Sequence, residues 1–331
     1  SAPVTVKARV VVNATGPWSD EVRALVGEAP ILKPTKGVHV VVDAARLPAR
    51  HAVVMLARRD QRVMFAIPWG QNRVIIGTTD TFYDGTLDHV WATGDDVDYL
   101  LETANHYFPS ADLRREDVLS TWAGLRPLLK PNSGVESASD VSREHHLIER
   151  PGFITIAGGK LTTYRRMAAE VVDRVGVQLG RVPISTTENR PLPGAQGLEG
   201  EVGLEMLGAE LRAGGLGDAV VDHWVNTYGV RARDLVRRIA IDPAGTAPLD
   251  PELPYCMAEV DEAVEGEMGR TLCDVLGRRV PLLLRGRDQG LGVAFVVAER
   301  MARLLGWSTA RMREEHDRYV ALVDETRRFR R

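Results

Sequence analysis

The stretch FITIAGGKLTTYRRMAAEVVDRVG, Phe153 to Gly176, decides how this chain is read. Phe153 to Ala157 is a short apolar run of the kind that forms a buried strand, and it leads directly into Gly158 and Gly159. After Lys160 the period changes. Tyr164, Met167, Ala168, Val171, Val172 and Val175 share one stripe, which predicts a helix unbroken until about Gly176. A strand, two glycines and a helix in that order leave free N–H groups and the positive end of a helix dipole where the strand stops. That junction favours negative charge, Lys160 adds a positive one, and the glycines let a ligand come close. An ordinary strand-to-helix turn has the same form, and the local sequence leaves both readings open.

Towards the amino end, RVVVNA from Arg9 to Ala14 predicts a buried strand that runs into Thr15 and Gly16 within VVVNATGPWSD. A small Thr-Gly pair at the carboxyl end of a strand admits either a close ligand or a simple turn. A buried strand needs partners on both sides, so the expectation is that sequence before Ser1 is absent. From Gly37 to Thr79 the runs GVHVVV, AVVML, RVMFAIPW and RVIIGTT predict an antiparallel sheet. Val97, Leu100, Leu101, Ala104 and Phe108 predict a helix over about Asp95 to Phe108 that covers it. Asp117 to Leu147 reads as short strands and loops.

Beyond the connector RPLPGAQG, Arg190 to Gly197, strand signals cease. Helices are expected near Asp218 to Tyr228, Pro251 to Glu267, Gly292 to Leu305 and Ser308 to Phe329. Ser308 is the expected cap of the last, and Met312, His316, Tyr319, Val320 and Val323 its inward stripe. The basic tail TRRFRR, Thr326 to Arg331, reads as a solvated, frayed end, with contact to anionic lipid as the alternative.

The 331 residues favour two domains, and a 44% hydrophobic, 26% charged composition is that of an ordinary globular protein. A formal net charge of −3 gives no basic field, so nucleic acid is not implied. Two cysteines, Cys256 and Cys273, offer neither a disulfide framework nor metal spacing and point to a reducing compartment. His145 and His146 are adjacent rather than spaced for a metal, and none is expected. No apolar run approaches the length of a membrane span.

Arg126 in WAGLRPLLK and Arg143 in DVSREHHLIE each present a planar fork suited to phosphate, and equally suited to an ion pair with Asp or Glu. His39, inside GVHVVV on the face opposite Val38 and Val40, is either a hydrogen-bonded core residue or a base. The sequence has no GxGxxG after a strand near its start, no Walker-type GxxxxGK[ST] and no GxSxG elbow. Residue chemistry alone stops at a mixed α/β domain plus a helical domain with anion-binding character.

The joint order of NATGPWSD, KGVHVVV, FAIPWG, IIGTTDT, GLRPLL, VSREH, AGGKLTTYR, TYG and AEVDEAVEGEMGRTLCDVL resembles the FAD-dependent glycerol-3-phosphate dehydrogenases, actinobacterial ones in particular. The resemblance covers about Arg9 to Tyr319. It implies an α/β (α+β) fold, part of a glutathione-reductase-type FAD-binding flavoenzyme fold with an antiparallel-sheet substrate domain and a carboxyl-terminal all-helical domain. Residues 1–20 and 150–185 would belong to the FAD-binding domain, 21–149 to the substrate domain and 186–331 to the helical domain.

The resemblance further implies hydride transfer from C2 of sn-glycerol 3-phosphate to FAD, giving dihydroxyacetone phosphate, with electrons passed to a membrane quinone. Thr15, Gly16, Gly158, Gly159, Lys160, Leu161 and Thr162 would contact FAD. Arg126 and Arg143 would hold the substrate phosphate, Lys160 would lie beside flavin and substrate, and His39 would assist removal of the C2 hydroxyl proton. Such proteins sit in the cytoplasm, peripherally on the inner membrane face, and the helical domain is read as a surface for homodimer or partner contacts. Because family members begin with a GxGxxG unit, the expectation is a fragment that binds FAD poorly and is inactive alone. A related amino-acid or 2-hydroxy-acid oxidase and a non-catalytic truncated module are the alternatives.

Overall fold

The computed structural model describes residues 3–70, 72–130, 144–181 and 184–331. It divides into two compact units, the first Ser1–Val38, Thr78–Val90 and Ala123–Arg190, the second His39–Gly77, Trp91–Trp122 and Pro191–Arg331.

In the first unit a three-stranded sheet is built from β1 (Val11–Asn13), β8 (His146–Arg150) and β9 (Phe153–Ala157), in the order β1-β9-β8. β9 is the central strand and its aliphatic side chains are largely buried, as its apolar run predicts. β1 lies parallel to β9 and β8 antiparallel to it. Two expectations need correction. The first strand is shorter than Arg9 to Ala14, and among the described residues it is paired on one side only, with Asn13 its one buried residue. β-branching signals a strand but not its place in a sheet. α1 (Ser19–Ala24) follows β1, and α3 (Tyr164–Gln178) follows β9. Of the stripe expected on α3 only Val171 is buried, while Tyr164 and Val172 are more than half exposed. Among the described residues α3 packs on the short strand β9 and on the turns at Leu161–Thr163 and Thr187–Asn189, which cover only part of the stripe.

β2 (Thr35–Asp43) and β7 (Val118–Arg126) each run through the division between the units, and they pair with one another. In the first unit Thr35 and Lys36 of β2 pair with β6 (Thr81–Phe82). In the second unit the rest of β2 joins β3 (Val53–Leu56), β4 (Val63–Trp69) and β5 (Arg73–Gly77) in the antiparallel order β3-β4-β5-β2. Alternation is plain on β4, where Met64 and Ala66 are buried and Val63, Phe65 and Ile67 are exposed. α2 (Gly94–Tyr107) packs on β3 and β5 with Val97, Leu100, Leu101 and Ala104 buried. Its start is fixed by a capping box in which Asp96 N–H donates to Thr93 Oγ1 and Thr93 N–H donates to the Asp96 carboxylate.

The second unit continues as helices only: α4 (Gly200–Ala213), α5 (Asp218–Tyr228), α6 (Ala232–Ile241), α7 (Met257–Glu265), α8 (Leu272–Asp274), α9 (Leu282–Arg285), α10 (Leu291–Leu305) and α11 (Thr309–Thr326). One core gathers Val260, Leu276, Val297, Met301, Tyr319 and Val323, and a second Leu207, Leu211, Trp224 and Leu235. α7 begins later than expected because Pro251 and Pro254 precede a cap at Cys256, whose N–H donates to Glu259 at 2.9 Å. Ser308 caps α11, accepting from Arg311 N–H. On α11 Met312, Tyr319 and Val323 point inward, His316 and Val320 are only half-buried, and Glu315 is buried, accepting from Leu272 N–H at 3.0 Å. The tail is not frayed. Phe329 is 1% exposed, Arg330 donates to the Val118 carbonyl at 2.7 Å, and Thr121 donates to the Thr326 carbonyl. A single aromatic among the arginines supplies the apolar anchor that a count of charges overlooks. Among the described residues no helix is long and apolar enough to cross a membrane.

Candidate functional site

β1 and β9 run side by side in parallel, with Asn13 opposite Thr155. Their carboxyl ends therefore deliver the Thr15–Gly16 loop and the Gly158 to Thr162 segment to the same edge of the sheet, where ligands bind in open α/β sheets. The loop is pinned by buried Asn13, whose amide donates to the Ser19 carbonyl at 2.9 Å and whose oxygen accepts from Thr15 Oγ1 at 2.7 Å. Gly16 has φ +60°, and a Cβ built there meets nothing within 4 Å. Backbone geometry selects glycine, and the space beside it is open.

Gly158 and Gly159 have φ of +75° and +84°. A Cβ on Gly158 would run into the Glu144 carbonyl oxygen, and one on Gly159 into the Met167 side chain. Backbone conformation disfavours any other residue at both positions, and at Gly158 the neighbouring carbonyl leaves no room for one. After extended Lys160, a 3-10 turn over Leu161–Thr163 passes into α3. Lys160, Leu161 and Thr162 are all exposed, Leu161 to 87%. An exposed apolar side chain beside a helix amino end suits a flat ligand that is part apolar and part anionic. The segment is braced from behind. His145 Nε2 meets Glu170 Oε2 at 2.6 Å, and Arg166 donates to Glu170 Oε1 at 2.9 Å. These hydrogen bonds, His145 first, hold the Glu170 carboxyl below the usual carboxylate range.

Also in the first unit, Arg126 ends β7 and donates from Nη1 to Asp80 Oδ1 at 3.0 Å and from Nη2 to Thr78 Oγ1 at 3.1 Å. Asp80 is 2% exposed and the Arg126 side chain 24%. Gly37 makes room, since a Cβ there would collide with the guanidinium. The ion pair, one of the two readings weighed from sequence, is present, and it fixes the plane of a partly exposed fork. Lys36 is buried. Arg143 lies outside the described residues.

β2 is buried at every position except His39, which belongs to the second unit and is half-buried. The imidazole stacks flat on Trp122, with centroids 4.9 Å apart and planes 12° apart, and Trp122 meets Trp69 edge-on at 6.1 Å. Gly77 is the cross-strand partner of His39, and its missing Cβ is where the ring lies.

Sequence reasoning did not single out Asn13 and Asp80, which position residues in the first unit, or Gly77 and Trp122, which surround His39 in the second. All four stand in quoted motifs, NATGPWSD, IIGTTDT and the segment ending in WAGLRPLLK. An Asn at a strand end and an Asp after two threonines were the available signals, whereas nothing local marks Gly77 and Trp122 as neighbours of His39.

Comparison with known proteins matches residues 2–165 to the family described as FAD dependent oxidoreductase and residues 185–312 to the C-terminal domain of alpha-glycerophosphate oxidase. Glycerol-3-phosphate dehydrogenase 2 of Mycobacterium tuberculosis H37Rv is 39% identical over 329 residues, 98% of this chain and 54% of its own length. The glycerol-3-phosphate dehydrogenase of Synechocystis is 34% identical, over 96% of this chain and 59% of its own. Among solved structures, the glycerol-3-phosphate dehydrogenase from Bacillus halodurans complexed with FAD superposes with a TM-score of 0.82 at 32% identity, over 97% of this chain and 63% of that one. The chain thus spans between half and two thirds of the length of these relatives.

Proposed function

Because the chain belongs to the glycerol-3-phosphate dehydrogenase family of FAD-dependent oxidoreductases, we propose that it serves the oxidation of sn-glycerol 3-phosphate to dihydroxyacetone phosphate. The observation that carries this reading is the convergence of Thr15, Gly16 and Gly158 to Thr162 at the carboxyl ends of two parallel strands. The open space at Gly16 and the exposed helix amino end fit FAD. When bound, FAD supplies the hydride acceptor.

Thr15, Gly16, Gly158, Gly159, Lys160, Leu161 and Thr162 hold the cofactor. Lys160 and the amino end of α3 favour the negative charge that arrives with the hydride. Arg126, its plane set by Asp80 and Thr78, binds the substrate phosphate, and Arg143 shares it. Anchoring the remote phosphate places C2 for reaction. His39 takes the C2 hydroxyl proton on its imidazole. The C2–H bond leaves with its electron pair, the O–H bond gives up its proton, and a carbonyl forms between C2 and oxygen. Residues 1–20 and 150–185 serve the cofactor, 21–149 the substrate, and 186–331 support both and offer the homodimer surface. The onward electron acceptor is a membrane quinone, reached from a peripheral position on the inner face.

The test is anaerobic addition of glycerol 3-phosphate to the flavin-loaded protein while the visible flavin band is followed. Bleaching is expected with glycerol 3-phosphate. Bleaching with glycine or a 2-hydroxy acid in its place would overturn the substrate assignment.

A further inference from the structure

We propose that Trp122, Trp69 and Arg285 form a positioning stack for the His39 imidazole, and that this is what the carboxyl-terminal helices contribute to the chemistry. The proposal rests on the reading of His39 as proton acceptor. All four residues belong to the second unit.

The strand fixes where His39 starts but not how its ring is turned, since rotation about the bond to an imidazole is broad and roughly two-fold. Two neighbours remove that freedom. The Trp122 indole lies parallel to the ring at 4.9 Å, and Gly77 offers a space that any Cβ would fill. Trp122 is in turn met by Trp69 at 6.1 Å, with planes 65° apart, the edge-on packing that aromatic pairs favour.

Trp69 is held from the helical side. The Arg285 guanidinium carbon lies 5.1 Å from the Trp69 ring centroid, and Arg285 Nη2 donates to the Trp69 carbonyl at 3.2 Å. Arg285 Nη1 donates to the Tyr255 hydroxyl at 2.9 Å. Gly70, with φ +68°, admits this approach, because a Cβ there would sit 2.6 Å from Nη2. Arg285 ends α9, whose Leu282 and Leu283 are buried in the helical core, and Tyr255 immediately precedes the α7 cap. An unbroken series of contacts therefore runs from that core through Arg285, Trp69 and Trp122 to the imidazole. A planar fork is the side chain that can stack on an indole and donate in two directions at once. A core aromatic with no bearing on His39 would not need both a parallel stack on one ring face and an obligatory glycine under the ring.

The experiment combines steady-state kinetics with NMR of the flavin-loaded protein carrying labelled histidine, the His39 ring resonance being assigned by its loss in His39→Asn. Trp122→Leu is expected to lower kcat about tenfold, the scale on which a misplaced reacting group acts, with KM for glycerol 3-phosphate changed less than about twofold. The His39 resonance should move downfield as the indole ring current is lost. Trp122→Phe keeps a flat face and should restore most of both. Arg285→Lys, which retains charge but not the planar fork, should shift the resonance in the same direction as Trp122→Leu by a smaller amount. A resonance that stays in place in Trp122→Leu overturns the stack, as does a KM that rises while kcat holds. A moved resonance alongside full kcat in His39→Asn overturns the positioning role together with the proton-acceptor reading, and the unmoved kcat of that variant identifies the latter as the fault.

Discussion

Gly77 stands directly opposite His39 across the ladder of β2 and β5, and a methyl group placed on Gly77 would collide with the imidazole. Glycine here is required by a side chain on the neighbouring strand rather than by backbone conformation.

Gly77→Ala should therefore cost about 1–3 kcal/mol of stability through overpacking, and turnover should fall because the ring must move. Gly124→Ala on β7, where a Cβ meets nothing within 4 Å, is the control and should be close to neutral. Urea titration of the two variants beside the parent measures the difference.

Asp80 is almost wholly buried and its partner Arg126 is not. Asp80→Ala removes the buried carboxylate that accepts from Arg126 Nη1 and should destabilise the protein by about 1–3 kcal/mol. If Arg126 holds the substrate phosphate as proposed, KM for glycerol 3-phosphate should rise more than kcat falls, because the fork loses the partner that sets its plane. Steady-state kinetics on the soluble fraction decides this.

Gly158→Ala and Gly159→Ala each impose left-handed backbone on an L side chain, about 1–2 kcal/mol, before the collisions with Glu144 and Met167 are counted. Both variants should lose retained flavin. Their visible absorption after gel filtration is the measurement, and Gly180→Ala, left-handed but facing open space, should keep the flavin of the parent.

Glu170 sets an acid-side dependence. Its carboxyl is depressed below the ordinary value of 4.5, first by the hydrogen bond with His145 and then by Arg166. A depressed folded value means the unfolded chain takes up the proton first, so this contribution is complete above about pH 5 and fades as pH falls through the folded value. Glu170→Gln should be less stable than the parent at neutral pH, and the gap should narrow as pH falls below the ordinary carboxylate range, a comparison made by thermal melts from neutral to acid pH.

Cys256 is buried, and burial followed by the nearby Glu259 charge pushes its thiol up to about 12. The native protein should resist alkylation at Cys256 at pH 8 and react there only when unfolded. Mass spectrometry after a timed alkylation, with and without denaturant, tests it.

Much of this fold was legible because its signals are local. The period of two over Gly37 to Thr79, the period of 3.6 beyond Gly197, and the change between them at Gly158 and Gly159 mark the antiparallel sheet, the carboxyl-terminal helices and the junction where α3 begins. Ser308 as a cap and Tyr319 and Val323 as core residues followed from the same reasoning. Three expectations failed because exposure depends on neighbours that periodicity does not name. Among the described residues Val11 and Val12 are paired on one side only, Tyr164 and Val172 are more than half exposed, and Phe329 docks a tail that its charges suggested was free.

The sequence by itself determined which residue types stand at strand ends and helix starts, since backbone conformation and side-chain period are decided within a few residues. Only the tertiary structure decided that Thr15 and Gly158 share one sheet edge, that Asp80 orients Arg126, and that Trp122 lies flat on His39. Those pairs are separated by between 46 and 143 positions along the chain. Their meeting depends on which distant strands pair with one another, and the alternation within a single strand does not name its partner.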